Sequence, residues 1–216
     1  MVFNHKKTYI IYKIKILLII LLIKINIYIY NIFSMNKKLK IDNNTSLLSP
    51  SSWIKNNLSK NSSKMSLLDL ACGNGRHSVF AANAGYQVTS VDIDKNKLFN
   101  LKNYKFVNPI QVDLEINNPW PFRNEIFDVV LVTNYLYRPI FKYICKSIKL
   151  NGKLFYETFT EENIIFGKPN NKTFLLRPQE LLNLARNNRF EVINYEEVII
   201  SKPIKKAVQR IYAIKK

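Results

Sequence analysis

Cysteine and acidic residues are scarce in this sequence. Of its 216 residues only Cys72 and Cys145 are cysteines, which excludes a disulfide-stapled scaffold. Asp and Glu number 15 against 33 Lys and Arg, leaving a formal charge of +18. A surplus of that size directs attention to nucleic acid or an acidic membrane as partner. Composition offers a second origin for it: Lys outnumbers Arg by 26 to 7, and Asn and Ile are abundant too, as an AT-rich coding sequence would produce. Disorder is excluded by the 47% apolar and 12% aromatic content, which is enough to fill a core. At roughly 100 to 200 residues per domain, the length allows one domain with an appendage but not two packed domains.

The appendage is residues 1–34, which hold five lysines, no acid and an apolar run from Ile16 to Ile23. Three readings compete. A single-pass membrane anchor with its basic end in the cytoplasm would run from Ile14 to Phe33, about the 20 residues a bilayer needs, with Lys24 as a costly charge inside it. A cleaved signal peptide would share the basic start and short apolar core, but no small-x-small cleavage site precedes Met35. In the third reading translation begins at Met35, leaving a cytoplasmic protein. Residues 35–65 form a polar segment with one amphipathic stretch, in which Ser49 is the expected N-cap, Pro50 the first helical residue, and Trp53 and Ile54 the buried face. The folded domain is expected over residues 66–216.

From Ser66 strands and helices alternate. Ser66–Ala71 reads as a buried strand running into Cys72-Gly73-Asn74-Gly75-Arg76, which opens a helix from His77 to Ala84, stopped by Gly85. Gln87–Ile93 reads as a second strand, Asp94 as the cap of a helix over Lys95–Leu101, and Phe106–Val112 as a third strand. Phe127–Thr133 is an apolar run of the kind buried on both faces. A helix is expected over Pro139–Lys149, ended by Asn151-Gly152, then a strand over Lys153–Thr158 and a helix from Arg177 to Asn187. Phe190–Ile200 and Val208–Ile214 close the chain as strands. The alternation predicts an α/β fold with a doubly wound, Rossmann-like parallel sheet. The last two strands have no helix between them, so an antiparallel C-terminal hairpin is expected.

In such a sheet ligands sit at the carboxyl ends of the strands, where strand order reverses. Gly73 and Gly75 occupy the first such turn and let backbone approach a ligand closely. A dinucleotide fingerprint wants a third glycine, and Ser78 stands in its place. Asp69 would repel a pyrophosphate but attract a sulfonium or an ammonium group. Asp92, ending the second strand, suits the two hydroxyls of a ribose. Asp113 and Leu114, after the third, offer a polar group and an apolar face to an adenine. Singly each acid has a plainer role open to it, as a helix cap, a turn residue or a solvated loop acid; their succession at strand ends is the specific signal. Through Leu67–Arg76, Val88–Asp92 and Phe127–Leu131 the sequence resembles class I S-adenosylmethionine-dependent methyltransferases over residues 50–216. In Gly75-Arg76-His77-Ser78 and Ala84–Thr89 it is similar to the small bacterial stand-alone, tellurite-resistance type. The resemblance implies a seven-stranded sheet with its final strand inserted antiparallel, and S-adenosyl-L-methionine as cofactor. It places Asp69, Gly73 and Gly75 around the methionine part, Asp92 at the ribose, and Asp113 with Leu114 at the adenine.

Methyl transfer from a sulfonium displaces an already activated carbon, so the protein has mainly to align the acceptor and exclude water. The fourth strand delivers Thr133-Asn134-Tyr135-Leu136-Tyr137-Arg138-Pro139 to the acceptor side. Methyltransferases acting on exocyclic or amide nitrogen often carry Asn or Asp, two prolines and an aromatic there; this chain has Asn134 without the prolines, which weakens a nucleobase or glutamine nitrogen as acceptor. Asn134 is expected to orient the acceptor, and Tyr135 or Tyr137 to face the sulfonium methyl, unless the tyrosines simply pack the sheet edge. The long connection after the fifth strand is expected to shape the acceptor pocket. Arg138 and Arg177 are candidates for an anionic group of the substrate, with a salt bridge to Glu157 or Glu161 as the alternative. The expected function is methyl transfer to a small-molecule acceptor. RNA methylation stands as an alternative, though no nucleic-acid module is recognisable, as does a non-catalytic cofactor-binding protein tethered to membrane. Six basic residues fall between Lys202 and Lys216, away from a cofactor turn whose own side chains are acidic.

Overall fold

Branched apolar residues at successive positions, Leu67-Leu68 and Val129–Val132, build the middle of a seven-stranded sheet that is buried on both faces. In a computed structural model of the chain, the strands are β1 (Ser66–Leu70), β2 (Gln87–Asp92), β3 (Val107–Gln111), β4 (Phe127–Thr133), β5 (Ile148–Phe159), β6 (Phe190–Ile200) and β7 (Lys206–Lys215), in the order β3-β2-β1-β4-β5-β7-β6. The first five are parallel. β7 is inserted between β5 and β6 and runs antiparallel to both, so the expected hairpin is present. The described residues are 24–25, 49–60, 64–116 and 120–216. The anchor, signal-peptide and late-start readings of residues 1–34 therefore lie almost wholly outside the described residues. Among the described residues no helix is long and apolar enough to cross a membrane.

Residues 49–216 form one compact unit with a core on each face of the sheet. Successive strand side chains point to opposite faces. Leu67, Val129, Leu131 and Phe155 thus share one face, covered by Trp53 and Ile54 of α1 (Ser52–Asn57) and Ala81 and Ala82 of α2 (Arg76–Asn83). Leu68, Val130, Val132, Leu154 and Tyr156 share the other, beneath Ile144 of α4 (Phe141–Ser147) and Leu181 of α5 (Glu180–Asn187). Each such side chain contributes about 1.5 to 3 kcal/mol by leaving water. A short α3 (Lys95–Phe99) follows β2, and Asp94 caps it by accepting from the Asn96 and Lys97 amides.

Three expected boundaries shift. The N-cap of α1 is Ser51, not Ser49, and its hydroxyl makes no cap bond because it donates to Glu157 instead. The helix expected over Pro139–Lys149 is a single 3₁₀ turn, Arg138–Ile140, followed by α4, and β5 begins already at Ile148. Asn151-Gly152, read as a helix stop, is an irregularity inside that strand. Asn151 has φ 61°, and an added Cβ on Gly152 would lie 2.7 Å from Ile148 Cγ2. Finally α5 starts at Glu180 rather than Arg177, since the residue before Pro178 is biased away from helix and Gln179 is left-handed at φ 57°.

Candidate functional site

Strand order reverses at β1, whose neighbours β2 and β4 lie on opposite sides, and a crevice opens at the carboxyl end of such a strand. The turn there carries three left-handed residues, Ala71 (φ 53°), Gly73 (φ 56°) and Gly75 (φ 75°). The two glycines are not equivalent. A Cβ on Gly75 would fall 2.3 Å from Leu101 Cδ2, so packing of the segment after α3 demands glycine there. A Cβ on Gly73 would meet nothing within 4 Å, which makes Gly73 the glycine that borders open space.

Beneath this turn Asp69 is fully buried. Its Oδ2 accepts from Ser78 Oγ at 2.6 Å, and Ser78 in turn accepts from Ser90 Oγ at 2.7 Å. Asp69 Oδ1 is buried without a partner. Burial raises this carboxyl from 3.8 to about 7, against the opposing hydrogen bonds from Ser78. Ser78, which the sequence presents only as a missing glycine, is thus the residue that holds the strand-end acid. Asp92 clamps the turn from the next strand: Oδ2 accepts from the Gly73 amide at 2.7 Å and Oδ1 from the Asp94 amide at 2.9 Å. Asp113 is half-buried and accepts from the Glu115 amide at 2.9 Å. With Leu114, Trp120, Tyr137 and Ile140 it lines a pocket of about 300 Å³. Tyr137 closes against this loop, its hydroxyl donating to the Glu115 carbonyl at 3.1 Å.

A second polar group gathers at the carboxyl ends of β4 and β5. Asn134 leaves β4 in a left-handed conformation (φ 54°), exposed to solvent, with its backbone N–H donating to the Glu157 carbonyl at 2.9 Å. The Glu157 side chain is buried and accepts from Ser51 Oγ at 2.9 Å and Lys206 Nζ at 3.2 Å, with Arg210 Nη1 at 3.9 Å. His77, also buried, accepts the Ser51 amide on Nε2 at 3.0 Å. That leaves the proton on Nδ1, directed at Thr133 Oγ1 3.2 Å away. Burial, reinforced by Arg76 and Lys206, pushes His77 down to about 3, so it is neutral at ordinary pH. Arg76 itself reaches the Ser49 carbonyl at 3.3 Å. Tyr135 turns its hydroxyl inward, buried and without a partner, and burial raises its pKa.

Arg138 departs from the expectation. Its guanidinium makes a bidentate pair with Glu180 (2.6 and 2.8 Å) and donates to the Thr173 and Leu175 carbonyls at 2.9 and 2.8 Å. Four donor contacts spent inside the protein make it a brace for the long connection rather than an anion site, and its acid is Glu180, not Glu157 or Glu161. Arg177 is exposed, and its amide donates to Glu180 at 2.9 Å. Sequence reasoning passed over Glu157 as part of the site. The signal was present, because Glu157 lies near the carboxyl end of a largely apolar stretch of strand, as Asp69 and Asp92 do.

Residues 68–153, from β1 into β5, match a family described as a methyltransferase domain. No curated protein matches the chain. Among solved structures, a S-adenosylmethionine-dependent methyltransferase from Methanosarcina mazei is similar over 77% of this chain and 98% of its own, at 17% identity and a TM-score of 0.58. One from Aquifex aeolicus is similar over 83% and 97%, at 15% identity and 0.59. TehB from Haemophilus influenzae is similar over 72% of this chain and 59% of its own, at 23% identity and 0.55. At these identities the likeness is one of fold, and the family match falls on the segment that carries Asp69, the glycine turn, Asp92 and Asp113. Residues 68–153 thus carry the match to a methyltransferase domain, and the chain shares its fold with these S-adenosylmethionine-dependent methyltransferases.

Proposed function

We propose that the protein methylates a small-molecule acceptor held at the carboxyl ends of β4 and β5. One observation carries the donor side of this reading: an unpartnered, buried carboxylate oxygen on Asp69 lies under a turn whose Gly73 borders open space. That combination suits a cationic amino-acid group better than a phosphate. S-adenosylmethionine supplies a methyl carbon already activated by positive sulfur. Asp69 Oδ1 offers an acceptor to its ammonium, and the left-handed turn at Gly73 and Gly75 brings backbone close without side chains in the way. Asp92 uses one lone pair on each oxygen for the turn and keeps others for ribose hydroxyls. Asp113 and Leu114 border the adenine.

On the acceptor side, His77 is no general base, since both ring nitrogens are engaged and its pKa is low. Rate enhancement then comes from alignment. The side-chain carboxamide of the exposed Asn134 orients the acceptor, the Tyr135 ring faces the methyl group, and Tyr137 and Arg177 flank the entrance. The absence of paired prolines after Asn134 favours a small molecule over a nucleobase. The test is incubation of the full chain with methyl-labelled cofactor and fractionated cell extract. Label is expected in the low-mass fraction and reduced by Asn134→Ala. Label confined to RNA, with binding that falls steeply as salt rises, would replace the small-molecule reading.

A further inference from the structure

The parallel strands end on one side of the sheet, and three peripheral stretches gather there beyond β5 and β7. The 3₁₀ turn Glu161–Phe166 follows β5, the turn Lys172–Phe174 lies beside it, and residues 201–205 join β6 to β7. They are fastened together. The Ala207 amide donates to Asn163 Oδ1, Asn163 Nδ2 donates to the Pro169 carbonyl, and the Glu161 amide donates to the Leu176 carbonyl. Lys205 Nζ stands 4.8 Å over the Phe166 ring, which brings the 201–205 turn against the first.

What this assembly shows to solvent is apolar at its tips. Ile165 is 77% exposed and Ile204 72%, with Ile164 and Phe174 less so. Large aliphatic side chains held out on well-bonded turns gain nothing for the fold, and it is their grouping on adjoining turns at one end of the sheet that offers a contact surface. Around them Lys168, Lys172, Lys202 and Lys205 are exposed. Residues 161–177 and 201–205 together hold five basic residues against two acids, Glu161 and Glu162. Protruding apolar tips within a ring of lysines match the boundary of an anionic bilayer, which takes Ile and Phe below the headgroups and Lys at their level. Residues 1–34 are of the same chemistry, five lysines and no acid around an apolar run.

We propose that this loop cluster docks on anionic phospholipid bilayers and seats the acceptor end of the sheet against the lipid surface. The docking does not depend on the methyl-transfer reading, and lipid binding, not activity, tests it. Cys72 and Cys145 are both buried, so a cysteine placed at Ile165 can be labelled selectively with an environment-sensitive fluorophore in the full chain. The control is the same label at Leu150, 62% exposed at the amino end of β5 and on the order of 30 Å away along the strand. With vesicles containing phosphatidylserine, the label at 165 is expected to shift to the blue and to be quenched by brominated acyl chains, while that at 150 remains aqueous. Reversing Lys168, Lys172, Lys202 or Lys205 to Glu lowers the partition coefficient about fivefold each, or more. Equal, aqueous emission from both positions on vesicle-bound chain would mean that residues 1–34 alone hold it, and would overturn the proposal. A shift at 165 that grows with protein concentration in the absence of lipid would overturn it in favour of a second copy.

Discussion

Asp69→Asn separates an ionised site from a merely polar one, and the structure sets its size. The carboxyl of Asp69 is raised from 3.8 to about 7 by burial. In the free protein it is therefore about nine-tenths protonated at pH 6 and nine-tenths ionised at pH 8. If the cationic cofactor binds only the ionised form, its apparent Kd falls about tenfold between those two values, saturating above. Asn at 69 still accepts from Ser78 but carries no charge, so its profile should be flat, with affinity at pH 8 about 10- to 100-fold weaker for loss of a charge-assisted bond. Stability gives an independent readout. Because the folded pKa is raised, the native state holds a proton the unfolded chain has lost, and stability falls as pH climbs from about 4 to 7. The whole drop is on the order of 4 kcal/mol, and Asp69→Asn should abolish it. Titration calorimetry at pH 6, 7 and 8, with urea unfolding over the same range, measures both. A tenfold pH dependence of Kd surviving in Asp69→Asn would refute the assignment.

Gly73→Ala should cost about 1 to 2 kcal/mol for a left-handed Ala and weaken cofactor binding. Gly75→Ala should lose a further 1 to 3 kcal/mol against Leu101, so urea midpoints will separate the ligand-facing glycine from the packing one. His77, depressed from 6.5 to about 3, contributes stability that is full above 6.5 and lost as pH falls toward 3. Unfolding of His77→Gln should show no such acid-side loss, while being about 1 to 3 kcal/mol weaker at pH 7 for the broken bonds to Ser51 and Thr133. Arg138→Lys cannot reproduce the fork on Glu180, and hydrogen exchange at residues 173–176 should quicken about tenfold or more; unchanged protection would show that the brace is dispensable.

The central sheet was readable because its signals are local. Phe127–Thr133 is apolar but for Asp128 and the closing Thr133, and β4 has those bounds; Asp94 caps α3 because an N-cap needs only its own side chain and two following amides. What eluded the sequence depends on partners far along the chain. Ser78 reads as a missing glycine until Asp69 and Ser90 are brought beside it. Arg138 reads as a free cation until α5 delivers Glu180, 42 residues later. Asn151-Gly152 has the composition of a helix stop, and only the pairing of β5 with β4 turns it into a strand irregularity. For the site, strand-end acids pointed to the crevice where strand order reverses, which we propose for the cofactor, but the Ser51–His77–Glu157 cluster joins segments up to 106 residues apart and has no sequence pattern of its own.

The insertion of β7 between β5 and β6 also fixes an order of events during synthesis. Both outer strands leave the ribosome before the one that joins them, so each presents an open edge until Lys206–Lys215 emerges. Glu157 meanwhile lacks Lys206 and Arg210, the two cations that face it once β7 is in place. The crevice at β1 and β2 that we propose for the cofactor is formed from chain made early, whereas the end proposed for the acceptor is the last part of the domain to be assembled. A nascent chain stalled before Lys206 would then be able to build its cofactor turn while having no acceptor site to serve, and its two open edges would be what a chaperone meets first.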